Sequence, residues 1–239
     1  MSDLSAVKAL VFDVFGTVVD WRTSLINDFT AWGNTRGITA DWTALVDGWR
    51  AVYAASMDDV RKHPERGYVI LDVLHRRSLE KLAAQLSIQG LTEEDLQHLT
   101  LGWHRLHPWP DSVEGLTRLK TKYIIAPLSN GNVALLTNMA KFADLPWDLI
   151  LSAELFHHYK PDPETYLGAA KLLCLAPEQV MMVAAHNHDL AAAQKLGLKT
   201  AFVARSSEYG PLQKYDFDAT GAWDIVTMDF GGIADRMGC

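Results

Sequence analysis

The sequence predicts an α/β fold, a Rossmann-like parallel sheet core with an inserted helical cap. Three observations lead there. Short apolar runs recur along most of the chain, segments of helical spacing separate them, and one long stretch near the start is helical throughout with no strand inside it. Strands that alternate with helices imply a parallel sheet covered on both faces. A purely helical block within such a series implies an insertion.

Val7 to Phe12 is apolar at every position but Lys8 and ends at Asp13, the pattern of a strand buried on both faces. From Thr23 to His107 the spacing predicts consecutive helices over Ser24–Arg36, Asp41–Asp58, Tyr68–Gln85 and Glu93–Leu106. Thr92 and Asp95 stand at capping-box spacing before the last of these, with Asp a poorer partner than Glu. The expected division is therefore a core of residues 1–22 and 107–239 and a cap of residues 23–106, with Pro108 and Pro110 marking the return. Helices over Val113–Lys122, Val133–Phe142, Glu164–Leu173 and Leu190–Leu196 then alternate with strands over Tyr123–Leu128, Asp148–Leu151, Val180–Ala184 and Thr200–Val203. Gly197 stops the helix before it.

With 239 residues, 49% hydrophobic and 21% charged, the chain has enough apolar material for a real core. Twenty-two Lys+Arg against 29 Asp+Glu give a net charge of -7, which disfavours nucleic acid and anionic membranes as partners. No apolar run approaches the roughly 20 residues of a membrane span, and Met1-Ser2-Asp3-Leu4 lacks the basic and apolar blocks of a signal peptide, so a cytoplasmic location is expected. Cys174 and Cys239 stand at no metal-ligand spacing and are expected to be free thiols.

Ligands of open parallel sheets gather at the carboxyl ends of the strands. Four polar clusters lie there: Asp13 to Thr17, Ser129 to Asn132, His157 to Lys160, and Ala185 to Asp189. Asp13 offers a carboxylate that can attack carbon or phosphorus, Gly16 allows a tight turn, and the Thr17 hydroxyl can return to hold the carboxylate. Each residue also has a plainer reading. Asp13 could cap a helix, Ser129 to Asn132 could be a turn before Val133, Lys160 and Arg50 could be solvated charges, and His186 could be a packed or surface ring. Four clusters at equivalent strand ends weigh toward a site. His157 and His158, adjacent on an extended segment, point apart and make a poor metal pair. Trp32, Trp42, Trp49 and Trp103 fit core and pocket walls better than a stacking platform for bases.

Asp13-x-x-x-Thr17, Ser129 after a strand, Lys160 before Pro161, and Asp189 in the last of these loops resemble the four motifs of the haloacid dehalogenase superfamily, over nearly the whole chain. In phosphatases of that superfamily the first motif is Asp-x-Asp and the fourth supplies a further Asp for magnesium. Phe15 and Ala185 stand at those positions here. Magnesium wants several oxygen ligands, and a phenyl ring cannot protonate a leaving alkoxide, whereas a departing halide needs no proton. The resemblance thus favours carbon–halogen cleavage with no metal and no cofactor over a magnesium-dependent phosphatase. A non-catalytic small-anion binding protein is the third reading.

The closer resemblance is to the type II L-2-haloacid dehalogenases, in Asp13-x-Phe15-Gly16-Thr17, Leu128-Ser129-Asn130-Gly131, and Tyr159-Lys160-Pro161-Asp162 followed by Tyr166. It implies a small carboxylate substrate, a 2-haloalkanoic acid. Asp13 would displace the halide to give an ester, which water hydrolyses at the acyl carbon to a 2-hydroxy acid. Thr17, Ser129 and Lys160 would hold the nucleophile, Asn130 and Arg50 would receive the halide, Phe15 and Tyr166 would line the substrate site, and Asp189 would keep a catalytic carboxylate. Family habit suggests a homodimer. The chain departs at Ala184-Ala185-His186, where typical members have Ser, Ser and Asn. His186 is expected either to accept a proton from water or to donate to substrate or halide, and with His188 it suggests that fluoroacetate is a substrate.

Overall fold

Alternate residues of the first strand enter two different cores. In β1 (Ala9–Phe12) Leu10 and Phe12 pack into one buried cluster and Val11 into the other, the period-two consequence of pleated backbone covered on both sides. In the computed structural model, which describes residues 3–239, β1 lies at the centre of a six-stranded sheet with every adjacent pair parallel. The other strands are β2 (Ile124–Ser129), β3 (Leu151–Ser152), β4 (Val180–Ala184), β5 (Lys199–Val203) and β6 (Ile225–Thr227), in the order β3-β2-β1-β4-β5-β6. The chain builds outward from β1 to β3, then crosses back to β4. The order reverses between β1 and β4, and that crevice is where such sheets place ligands.

Helices α1 (Trp21–Arg36), α2 (Trp42–Lys62), α3 (Leu71–Gln85) and α4 (Glu93–Thr100) form the insertion. Asp20 caps α1 by accepting from Thr23 N at 3.0 Å, Asp41 caps α2 by accepting from Ala44 N at 2.8 Å, and Thr92 and Asp95 form the reciprocal capping box. The insertion leaves and rejoins the core through a narrow stem. Asp20 N donates to His107 O and Trp109 N to Val18 O, each at 3.0 Å, and Ser112 Oγ donates to Val18 O at 2.7 Å.

The rest of the core comprises α5 (Ser112–Lys120), α6 (Val133–Phe142), α7 (Ala153–Phe156), α8 (Pro163–Leu172), α9 (Asn187–Lys195) and α10 (Phe230–Met237). Several expected spans are corrected: α1 begins at Trp21 and not Ser24, α2 runs on past Asp58 to Lys62, and α9 begins at Asn187 and not Leu190. The helix expected from Tyr68 begins at Leu71, because Ile70 is extended and the Tyr68 ring stacks on His157. The helix expected to run to Leu106 stops at Thr100 and tightens into a 3-10 turn over Leu101–His104, where a Cβ at Gly102 would meet Phe29 at 2.6 Å. The strand expected over Asp148–Leu151 is only Leu151–Ser152; the Asp148 carboxylate instead accepts from Ile125 N at 2.9 Å. Beyond Val203 the chain adds β6 and α10, to which the sequence reading assigns no element, although Phe230, Ile233, Ala234 and Met237 of α10 are buried at helical spacing. No helix among the described residues is long and apolar enough to cross a membrane.

Candidate active site

Asp13 follows the last residue of β1, and its backbone N–H donates to Val183 O of β4 at 2.9 Å. This pins its carboxylate at the β1–β4 crevice, where the residue is 8% exposed. Its two oxygens have different partners. Oδ1 accepts from Lys160 Nζ at 3.0 Å; Oδ2 accepts from Thr17 Oγ1 at 2.7 Å and lies 3.0 Å from His186 Nδ1. Thr17 is oriented in turn by the Ala185 N–H, which donates to its oxygen at 2.9 Å. Burial alone would push the Asp13 carboxyl up. The Lys160 charge, the His186 hydrogen bond and charge, and the Thr17 hydroxyl together outweigh burial and hold it far below the usual carboxylate range.

Lys160 is fixed at both ends. Its backbone N–H donates to Asn130 Oδ1 at 2.8 Å, and its ammonium is shared between Asp13 and Asp189. Burial disfavours the charged amine, but these two carboxylates reverse that and keep it protonated. Tyr166, expected to line the substrate site, is among the residues lining the cavity and donates its hydroxyl to the second oxygen of Asp189. Ser129, expected beside the nucleophile, accepts from Gly131 N at 3.2 Å, and no hydrogen bond joins it to Asp13 among the described residues. It shapes the turn that presents Asn130.

His186 is the N-cap of α9 and is buried. Its Nε2 lies 2.9 Å from Oε2 of Glu208, a buried carboxylate in the loop after β5. Burial would lower the imidazole pKa, but the Glu208 charge and the bonds to both carboxylates raise it well above its ordinary value. Glu208 is itself held down by the His186 charge against the effect of burial, and Trp21 Nε1 donates to its other oxygen at 2.9 Å. His188 sits at the rim, its ring 5.7 Å from that of His186, and its pKa is lowered by partial burial and by the His186 charge.

Above these groups lies a cavity of about 610 Å³ whose walls include Asp13, Phe15, Arg50, Tyr53, Asn130 and His186. Phe15 is buried, with its ring edge-on to Trp103. Arg50 arrives from α2. Its guanidinium lies 4.6 Å from the Tyr53 ring centre and 5.3 Å from that of Trp21, and Nη2 is 3.5 Å from Glu208 Oε1. Nη1 is buried with no partner among the described residues. Asn130 uses its oxygen for Lys160, so its amide N–H₂ is the donor left for a ligand. The arrangement is a nearly buried carboxylate, Asp13, flanked by two cations, in a cavity whose walls also carry the N–H groups of Arg50 and Asn130.

Among the described residues, the one group of three or more His, Cys, Asp or Glu whose ligand atoms converge is His158, Asp162 and Glu164, none of which lines this cavity, and Asp162 is already paired with Arg61. His157 turns aside to stack on Tyr68. Glu208, Tyr53 and Trp21 are site residues that motif reading misses. Glu208 is the first acid in the loop following β5, and no motif marks it.

A core of this order with these four strand-end clusters defines a class of hydrolase. The chain belongs to the haloacid dehalogenase-like hydrolases, whose defining sequence pattern matches residues 7–197. It is similar to the crystal structure of an L-2-haloacid dehalogenase, at 50% identity with 97% of this chain and 99% of that one covered and a TM-score of 0.94. It is also similar to a defluorinating L-2-haloacid dehalogenase, at 45% identity with 98% and 96% covered and a TM-score of 0.94. The (S)-2-haloacid dehalogenase of Xanthobacter autotrophicus is 27% identical over 213 residues, 84% of this chain and 77% of that protein.

Proposed function

We propose that the protein hydrolyses 2-haloalkanoic acids to 2-hydroxy acids and halide, with Asp13 as the nucleophile. The observation that carries this reading is the separation of charges across the cavity. Asp13 is a nearly buried anion, and two residues that line the same cavity carry N–H groups for a leaving anion: Arg50, whose Nη1 has no partner among the described residues, and Asn130. One Asp13 oxygen attacks the halogen-bearing carbon, the carbon–halogen bond breaks, and the halide takes those N–H groups. The resulting aspartyl ester is then hydrolysed. Phe15, in the position where a proton donor to an alkoxide would stand, suits a leaving group that needs no proton.

Residues 23–106 serve as the cap that closes this chamber, with α2 supplying Arg50 and Tyr53. Fluoroacetate belongs among the substrates, a reading supported by the likeness to the defluorinating relative. His186 does not serve the halide in this scheme, because both of its nitrogens already face carboxylates.

The test is halide release from chloroacetate and fluoroacetate, beside phosphate release from p-nitrophenyl phosphate, with added magnesium and with EDTA. Chloride and fluoride release undiminished by EDTA is expected. A strict magnesium requirement, or turnover of the phosphate ester alone, would return the protein to the phosphatases.

A further inference from the structure

The two oxygens of Asp13 are in unequal surroundings. Oδ1 has one donor, Lys160 Nζ at 3.0 Å, which it shares with Asp189. Oδ2 has two, Thr17 Oγ1 at 2.7 Å and His186 Nδ1 at 3.0 Å. We infer that Oδ1 attacks the substrate and that Oδ2 becomes the oxyanion of the second step, stabilised by Thr17 and His186, with Glu208 as the positioning residue that keeps His186 a double donor. This deepens the dehalogenase reading and rests on it.

Geometry fixes the state of His186. A carboxylate is an acceptor only, and His186 meets one at each ring nitrogen, Asp13 at Nδ1 and Glu208 at Nε2. Both nitrogens must then carry protons, so the ring is an imidazolium. The titratable groups around it are Asp13 from the end of β1, Glu208 from the loop after β5, and His188 and Asp189 from α9. Lys160 lies beyond Asp13, and Arg50 lies 3.5 Å beyond Glu208. The raised pKa of His186 agrees with this count.

The arrangement suits ester hydrolysis. When Oδ1 displaces halide, Asp13 loses its negative charge and Oδ2 becomes the ester carbonyl oxygen. Glu208 is then the one remaining carboxylate bonded to His186, and it keeps the ring charged. Water attacks Cγ and gives one proton to the Asp189 carboxylate. The electron pair of the carbonyl moves onto Oδ2, where the Thr17 O–H and His186 N–H receive it. Collapse breaks the bond between Cγ and Oδ1, and the alkoxide takes the proton left on the regenerated Asp13 carboxyl. The proton on Asp189 passes to solvent. The water oxygen stays in Asp13 and the old Oδ1 leaves in the hydroxy acid.

The experiment is rapid-quench measurement of chloride release from chloroacetate by wild type, His186→Leu and Glu208→Gln, with mass spectrometry of the quenched protein. Both variants are expected to lose less in the first equivalent of chloride than in later turnover, as carboxymethylated Asp13 accumulates. For His186→Leu, which has no N–H to give, the fall in steady-state rate is about 100-fold, the usual size of a lost oxyanion donor. Glu208→Gln is expected, in addition, to move the alkaline limb of kcat to lower pH, since the imidazolium has lost its counter-charge. A first turnover that falls as far as the steady state with no adduct, or an alkaline limb unmoved by Glu208→Gln, overturns the assignment. Wild type that releases no halide, or that takes no heavy oxygen from labelled water into Asp13 in a single turnover, overturns the dehalogenase reading itself.

Discussion

The carboxylate of Glu208 fills the place where a side chain at Gly16 would stand: a Cβ there would lie 2.2 Å from Glu208 Cδ and Oε1. Gly16 also has φ +88°, in the left-handed region. The small residue of the first motif therefore serves two needs, a turn that other side chains strain and space for the partner of His186.

Gly16→Ala is expected to lower stability by roughly 1 to 3 kcal/mol from backbone strain, and by more from the collision with Glu208. Urea titration of Gly16→Ala, Glu208→Ala and the double variant separates the two. The double variant should be more stable than the sum of the single losses predicts; strict additivity would mean that the two side chains do not compete.

Asp13→Asn is expected to abolish turnover while the protein still melts cooperatively, because an amide is a far weaker nucleophile than a carboxylate. Loss of an essential nucleophile costs about three or more powers of ten. Residual halide release above about a tenth of the wild-type rate would show that water, and not Asp13, attacks the substrate.

Arg50→Lys should slow the first chloride equivalent more than the later hydrolysis. An ammonium loses the planar stacking on Tyr53 and Trp21 and has no second nitrogen to hold Glu208 while the first faces the anion. Equal slowing of both phases in a rapid-quench trace would place Arg50 outside halide departure.

Much of this site was legible because its parts lie at strand ends that the sequence marks. Asp13 and Thr17 are close in sequence, and Lys160 and Asp189 follow recognisable runs. The bond from Tyr166 to Asp189 was not legible, since a helix face does not announce which polar neighbour a hydroxyl will meet. Glu208 was hidden for another reason. It lies in an irregular loop, fixed by Trp21 from α1 and by the turn in which its N–H donates to Arg205 O at 3.2 Å. Such contacts arise from the path of the chain and leave no periodicity. The same holds for β6, a strand of three residues at one end of the sheet order, whereas α10 does carry a helical period in Phe230, Ile233, Ala234 and Met237.

His75 offers a prediction about stability. It is buried, stacked on Trp103 at 4.4 Å between ring centres, and neither ring nitrogen has a partner among the described residues. Burial pulls its pKa down from 6.5 to about 3. The folded protein therefore refuses a proton that the unfolded chain accepts, and stability falls as pH drops from 6.5 toward 3. His75→Phe keeps the stacking and removes this loss. Its advantage over wild type in urea midpoints should grow between pH 7.5 and pH 5 by about 2 kcal/mol. A pH-independent difference would mean that His75 finds a proton acceptor when charged.

The stem at Asp20–His107 and Val18–Trp109 has a bearing on how this architecture diversifies. Two strands of chain, pinned side by side by a few backbone bonds, carry a whole helical block into and out of the sheet. Because Asp72, Val69 and Arg61 of that block also bond Asn132, Tyr159 and Asp162 of the core, an exchanged block would have to bring those contacts with it. Asp13, Lys160 and Asp189 would stay with the sheet, while Arg50 and Tyr53 would travel with the exchanged helix.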